Sequence, residues 1–370
     1  MKHISIFLAS AISLMALTTS CNDEWTQEQY QNYVSFKAPI DAANGVTSVY
    51  VPLTRHAADG VTPLYGSGIS DYNLPLIVSG TTTNANDLTV HVAHDTDTLG
   101  ILNYAWYQNR QELYYVDATD YATYPETMNI KAGENTGLLN IKFDFLKNGG
   151  LDMVEKWVLP LTVVDKDASG NSYGYARHPR KNYGKALLRI FPFNSFSGDY
   201  SATTLTVSNS PVSAAAATTA DGSGLEYSRA YAVADSTVFF YAGSIDESRK
   251  DRHNFKIYAK FVPSADDDKK GTVEFSCENP LVQFVSTGKT TYTIYEYTDE
   301  VQPWLLHRYV IISDIAYTFC DYTIMGEDYY NERTAAGLDC FKMYYSAKGT
   351  MTLGRQINTQ IPDEDQAIQW

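Results

Sequence analysis

The chain has no surplus of positive charge, no cysteine pair at metal or redox spacing, and no nucleophile motif; beyond its first residues it has no long apolar run. Each absence removes a class of function. With 28 Lys and Arg against 43 Asp and Glu, the formal net charge is -15, so nothing is available to displace counterions from a nucleic-acid backbone. No Cys-x-x-Cys occurs and the histidines are scattered, which argues against zinc. Asp165-Lys166-Asp167-Ala168-Ser169-Gly170 matches the first half of a calcium loop, but its twelfth position is Ala176 instead of a bidentate Glu, and a solvated turn fits better. No Gly-x-Ser-x-Gly elbow is present, and the cysteines lack an attendant histidine pattern. Glu274, Glu296, Asp299, Glu300, Asp314 and Asp321 are numerous enough for a glycosidase pair, yet none sits in a recognisable catalytic motif. The expectation is a protein without catalytic residues, metal or cofactor.

What is present is aromatic: 29 Tyr, 15 Phe and 5 Trp in a chain only 19% charged, a composition that favours strands over helices. The start reads as an export signal over 1–20, with Lys2 and His3 before an apolar stretch too short for the ~20 residues of a membrane-spanning helix. Leu17-Thr18-Thr19-Ser20-Cys21 resembles a lipoprotein signal, although Leu17 stands four positions before Cys21 where three is usual. Cys21 is the expected lipidation site, a plain secretory signal being the alternative, and acidic Asn22-Asp23-Glu24 resembles the surface-export tag of lipoproteins in some Gram-negative lineages, although in others such acids retain the protein inside. Cys277, Cys320 and Cys340 then remain, an odd number that allows at most one disulfide within the chain.

Residues 187–200 look like a seam between two β-rich domains. A tether over 21–32 leads to a domain over 33–192 whose strand count, about eight, suits an immunoglobulin-like β-sandwich; Leu139, Ile141 and Phe143 alternating with Asn140 and Lys142 give its clearest strand. Pro75 and Pro160 inside apolar runs suggest irregular edge strands. A helical stretch is expected within 97–113. After the seam, 208–224 reads as a mobile low-complexity loop, and the strands of 193–370 form a meander that closes into an antiparallel β-barrel. Phe193 and Phe196 predict a packed connection in place of a free linker.

Cys21-Asn22-Asp23-Glu24-Trp25, Val34-Ser35-Phe36-Lys37-Ala38-Pro39, Lys156-Trp157-Val158-Leu159-Pro160-Leu161 and the tail Ile357-Asn358-Thr359-Gln360-Ile361-Pro362-Asp363-Glu364-Asp365 together resemble the two-domain surface lipoproteins of starch-utilisation-type glycan import systems. That resemblance covers nearly the whole mature chain. It implies a sandwich domain of unknown function followed by a lipocalin-like barrel, lipid anchoring at the outer membrane on the cell surface, and glycan capture beside an importer, with no catalytic motif.

Sugar rings are held on flat aromatic faces with amides and carboxylates around them. Trp304, in the polar connection 299–304, is one candidate, with capping of the barrel mouth as its alternative. Trp106 and Tyr107, amid Asn103, Gln108, Asn109 and Arg110, are a second group, and Tyr329 and Tyr330, in a long connection over 323–338, a third. Tyr295 and Tyr297 share one strand face, for which exterior packing is an equal explanation. The reading is a lipid-anchored, non-catalytic protein whose barrel holds or helps hold an oligosaccharide or polysaccharide; a structural scaffold of a surface complex and a glycoside hydrolase are the alternatives.

Overall fold

The computed structural model describes residues 31–37, 45–57, 62–80, 84–180 and 182–361. The signal, Cys21, Trp25 and Trp370 lie outside the described residues.

The first half builds two packed sheets. One runs β10-β1-β3-β8-β6, from β1 (Tyr33–Phe36), β3 (Ile69–Ser79), β6 (Ala122–Thr123), β8 (Thr136–Asp144) and β10 (Ala176–Arg177). The other runs β2-β11-β9-β4-β7, from β2 (Thr47–Pro52), β4 (Leu88–His94), β7 (Thr127–Ile130), β9 (Lys156–Val164) and β11 (Lys185–Phe193), with β5 (Tyr115–Asp117) parallel to β9. Leu76, Ile141 and Phe143 of the first sheet meet Val90, Leu161 and Ile190 of the second in one core, so period-two alternation becomes a sandwich. The helical stretch is α1 (Thr98–Tyr107), and the buried Asp95 carboxylate accepts the Thr98 backbone N–H and hydroxyl at its start.

The prolines are not on edges. β3 and β9 are interior strands, and each proline sits where the ladder to one neighbour stops: β1–β3 pairing ends at Phe36↔Leu76, and β4–β9 pairing ends at His94↔Leu161. No donor is needed beyond that point, while the carbonyls still accept, Pro75 from Lys37 N and Pro160 from Asp95 N.

The second half is a ring of eight strands in chain order: β12 (Gly198–Ser201), β15 (Tyr227–Ala234), β16 (Thr237–Tyr241), β17 (Lys256–Pro263), β18 (Lys270–Ser276), β20 (Thr291–Thr298), β21 (Leu305–Asp321) and β22 (Met343–Asn358). Ser201↔Thr352 pairing of β12 with β22 closes it. Outside the ring lie β13 (Thr206–Ser210), β14 (Gly222–Gly224) and β19 (Val285–Ser286). The stretch expected to be a mobile loop is ordered: β13 and β14 form a hairpin around α2 (Ala214–Thr219), which Ser213 caps at Ala216 N and which packs Ala217 into the core. Its alanines are helix formers, and low complexity concealed them.

The barrel interior is filled. Tyr200, Phe240, Phe261, Tyr292, Val310 and Ile312 are buried there, and Phe196 of the connection stacks on Phe261 at 3.9 Å, with Tyr292 edge-on to both. A ligand therefore has to be sought on the barrel's surface or against the sandwich.

The connection is packed. Phe193 ends β11 with its ring under the Arg355 guanidinium, the Asn194 side chain donates to Ala234 O and Thr237 O, and the Tyr200 hydroxyl donates to Phe196 O. Beside it, Tyr231, Phe239 and Tyr241 on the barrel's outer face bury against Phe191, Met153 and Val154 of the sandwich. Burial pushes the Tyr231 and Tyr241 hydroxyls well above their ordinary pKa, as a dry joint requires. Ion pairs ring it: Arg189 with Glu247, Lys256 with Asp152 at 2.9 Å, and Lys250 with Glu112 at 2.5 Å. At its edge the Arg252 side chain, 1% exposed, crosses from the barrel and donates to Val154 O at 3.0 Å and Glu112 O at 2.9 Å. Replacing it by Met removes both bonds and leaves the carbonyls dry. The expected cost for the Arg252→Met protein is about 3–5 kcal/mol of stability. Chemical denaturation should read that loss, with earlier proteolysis around 194–197 than in the parent; an unchanged midpoint would show that Arg252 does not hold the joint.

Candidate functional site

A cleft of about 810 Å³ opens beside Arg252, between the halves. The sandwich contributes Glu112, on a short 3₁₀ turn after α1, and Val154 and Glu155, just before β9. The barrel contributes 249–253, between β16 and β17, and 323–328, after β21. The latter leads into α3 (Glu327–Ala335), which takes up much of the long connection over 323–338. Its ends carry the usual signals: Glu327 and Asp328 in the first turn, Arg333 in the last, and Gly337 at φ +68 beyond it.

The floor is a network around Arg249. Its guanidinium donates to Asp251 at 2.6 Å, to Asp321 at 2.5 and 2.9 Å, and to Thr323 Oγ1 at 2.9 Å, while Thr323 donates to Asp251 and the cation lies 4.5 Å over the Phe255 ring. Asp251, Asp321 and Thr323 are all buried. Burial alone would raise the Asp251 carboxyl, but its bonds from Arg249 and Thr323 outweigh this and hold it below its ordinary value. Glu112 is also lowered, chiefly by its hydrogen bond from Lys250. A glycosidase acid needs the opposite shift. The cleft's Arg and Lys groups are engaged by carboxylates or carbonyls, and Glu327 and Asp328 stand exposed on the rim. Such a wall accepts hydrogen bonds from hydroxyls and offers little to an anion.

The sequence candidates are not brought together. Tyr329 and Tyr330 follow the lining residue Asp328 directly, and Trp106 and Tyr107 precede Glu112 by six and five residues, but none of these four aromatics lines the cleft. Tyr330 packs edge-on against Tyr322 at 4.7 Å, and Tyr329 lies beside Arg333. Tyr107 is wedged against Tyr115 under Lys156, and Trp106, 41% exposed, meets Tyr107 edge-on. Trp304, 43% exposed, lies in the β20–β21 loop, its carbonyl accepting from Thr359 N. Cys277, Cys320 and Cys340 are all free, and among the described residues no group of His, Cys, Asp or Glu is arranged to hold a metal ion. Sequence reasoning passed over Arg249, Asp251 and Arg252, although Asp246-Glu247-Ser248-Arg249-Lys250-Asp251-Arg252-His253 is a conspicuous charged run in a chain so poor in charge.

Fold and cleft define a two-domain, all-β protein with a polar groove at the domain joint. Residues 25–168 match the family model described as domain of unknown function DUF4973, and 184–338 match a BT3044-like C-terminal domain. No curated protein matches. Among solved structures, an auxiliary nutrient binding protein from Bacteroides thetaiotaomicron is 45% identical with TM-score 0.75, over 89% of this chain and 96% of that one. A protein of unknown function from Bacteroides ovatus is 38% identical (TM-score 0.71, 91% and 100% covered), and a multidomain protein including DUF1735 from the same organism is 37% identical (TM-score 0.71, 91% and 100%). The chain belongs to the family of these two-domain Bacteroides proteins.

Because Asp251 is depressed in the folded state, its contribution is complete above the ordinary carboxylate pKa of ~4 and is lost as pH falls through its lower folded value. Thermal unfolding followed below pH 4 should therefore fall less steeply with acid in the Asp251→Asn protein than in the parent, even though its neutral-pH midpoint is lower; superimposable acid slopes would refute the assignment.

Proposed function

We propose that the protein is a lipid-anchored, non-catalytic glycan-binding protein of the cell surface, joined through Cys21 and a tether over 21–32 to the outer membrane, with a sandwich domain over 33–192 and a barrel domain over 193–370. It captures oligosaccharide or polysaccharide beside an importer. The observation that carries this reading is the cleft at the joint, large enough for a small oligosaccharide and walled by hydrogen-bond acceptors whose cations are already paired. The family supports it through one 45% identical member named an auxiliary nutrient binding protein, and none of the three relatives bears an enzyme's name. The filled barrel interior supports seeking the site in the groove alongside instead of in the lumen, where a lipocalin-like fold would put it.

Calorimetry of the lipid-free protein from Asn22 onward against neutral and acidic glycans tests the proposal. Heat is expected with a neutral glycan, and the Glu327→Ala/Asp328→Ala protein should bind it about tenfold more weakly through lost hydrogen bonds to charged acceptors. No heat with any class would overturn the reading, and full affinity in the double variant would remove the cleft from it. Chromatography of the same mixtures should show unchanged glycan; cleavage products would establish the hydrolase alternative.

A further inference from the structure

Resting on the glycan-capture reading, we propose a second glycan-binding site on the outer face of β20, β21 and β22: a flat aromatic platform of Tyr297, Tyr309 and Tyr295 that takes a neutral polysaccharide chain. Tyr292, Val310, Ile312 and Leu353 are buried inside the barrel, so the alternate side chains of these strands point outward. Tyr295 pairs with Tyr309 and Tyr297 with His307 across β20–β21, and Tyr309 and His307 pair in turn with Gly354 and Gln356 of β22.

The rings pack against their cross-strand neighbours. Tyr309 leans over Gly354, where a β-carbon would come within 3.3 Å of its ring, and Tyr297 covers His307 at 4.7 Å and 9°, leaving His307 only 12% exposed. Tyr297 and Tyr309 are nearly parallel, 12° apart with centroids 6.2 Å apart. One face of Tyr297 is thus covered by His307 and the other is open, with 42% of the residue exposed; Tyr295, 56% exposed, flanks it at 5.8 Å, tilted by 44°. Asp299, in the loop, holds the His307 Nε2 at 3.1 Å and so fixes the support.

The occupant follows from charge and shape. The outward positions of the three strands, from Thr291 to Tyr297, Leu305 to Ile311 and Thr352 to Asn358, carry no Asp, Glu, Lys or Arg, in a chain of net charge -15; the inward positions carry Glu296, Arg308 and Arg355. An uncharged strip with two near-parallel rings and a third tilted beside them, and with the exposed Gln356 amide and tyrosine hydroxyls nearby, suits the C–H faces and hydroxyls of pyranose rings. The cation that flanks the strip, Lys270 of β18 opposite Thr293, is paired with Asp267 at 3.4 Å, so a polyanionic glycan finds no uncommitted cation there. Trp304 is on the loop joining the two tyrosine-bearing strands, at the end of the strip.

Affinity electrophoresis of the lipid-free protein in gels containing soluble neutral glucan, mannan, galactan or xylan, or polygalacturonate, tests the platform alongside calorimetry with short oligosaccharides. The parent should be retarded by a neutral polymer and not by polygalacturonate. Tyr297→Ala and Tyr309→Ala should each weaken that retardation about tenfold, Tyr297→Phe should retain it, and calorimetric binding of the short oligosaccharide in the cleft should not change. Retardation unchanged in both alanine variants overturns the platform and leaves the cleft reading standing. No binding of any glycan by the parent overturns both. Loss of retardation together with loss of the circular-dichroism spectrum in the alanine variants shifts the decision to Tyr295→Ala, the most exposed of the three, for which unchanged retardation is again the overturning result.

Discussion

A single buried guanidinium governs how the two halves meet. Arg252 comes from the barrel, is 1% exposed, and spends its hydrogen bonds on Val154 O and Glu112 O of the sandwich and on Arg249 O of its own loop. A charge so placed is tolerated only while its partners stay put. Around it, Tyr231, Phe239, Tyr241 and Phe191 exclude water, and the connection is pinned by Asn194 and plugged by Phe196. The halves therefore behave as one body, and the groove between them keeps a fixed shape.

That rigidity gives the cleft its chemistry. Arg249 locks Asp251, Asp321 and Thr323 into a buried floor, which leaves carboxylate acceptors on the walls and no uncommitted guanidinium. Asp251 and Glu112, both held below their ordinary pKa values, serve there as hydrogen-bond acceptors. The barrel also contributes in a way its fold class does not suggest: its lumen is core, and its outer face supplies both the docking surface of Tyr231 and Phe239 and the tyrosines of β20 and β21.

Much of the fold was legible because its strands alternate. Leu139, Ile141 and Phe143 in the sandwich, and Ile257, Ala259 and Phe261 in the barrel, repeat with period two, and the all-β class follows. Pro75 and Pro160 misled because sequence shows a missing donor and not where a neighbouring ladder ends. The alanine-rich helix after Ser213 was hidden by its composition. The cleft was less accessible still: Glu112, Val154, Arg252 and Asp321 come from four separate stretches, and no local pattern announces their meeting. Tyr295 and Tyr297 could be assigned to one strand face, but which face looks outward depends on closure of the ring.

If the groove at the domain joint holds the ligand, the segments that line it are shielded together when the ligand binds. Hydrogen exchange of the lipid-free protein, with and without the neutral glycan it binds, addresses this most directly. Added protection is expected in 110–113, 152–155, 249–253 and 323–328 together; binding that leaves all four at their unliganded rates would rule the groove out as the ligand site.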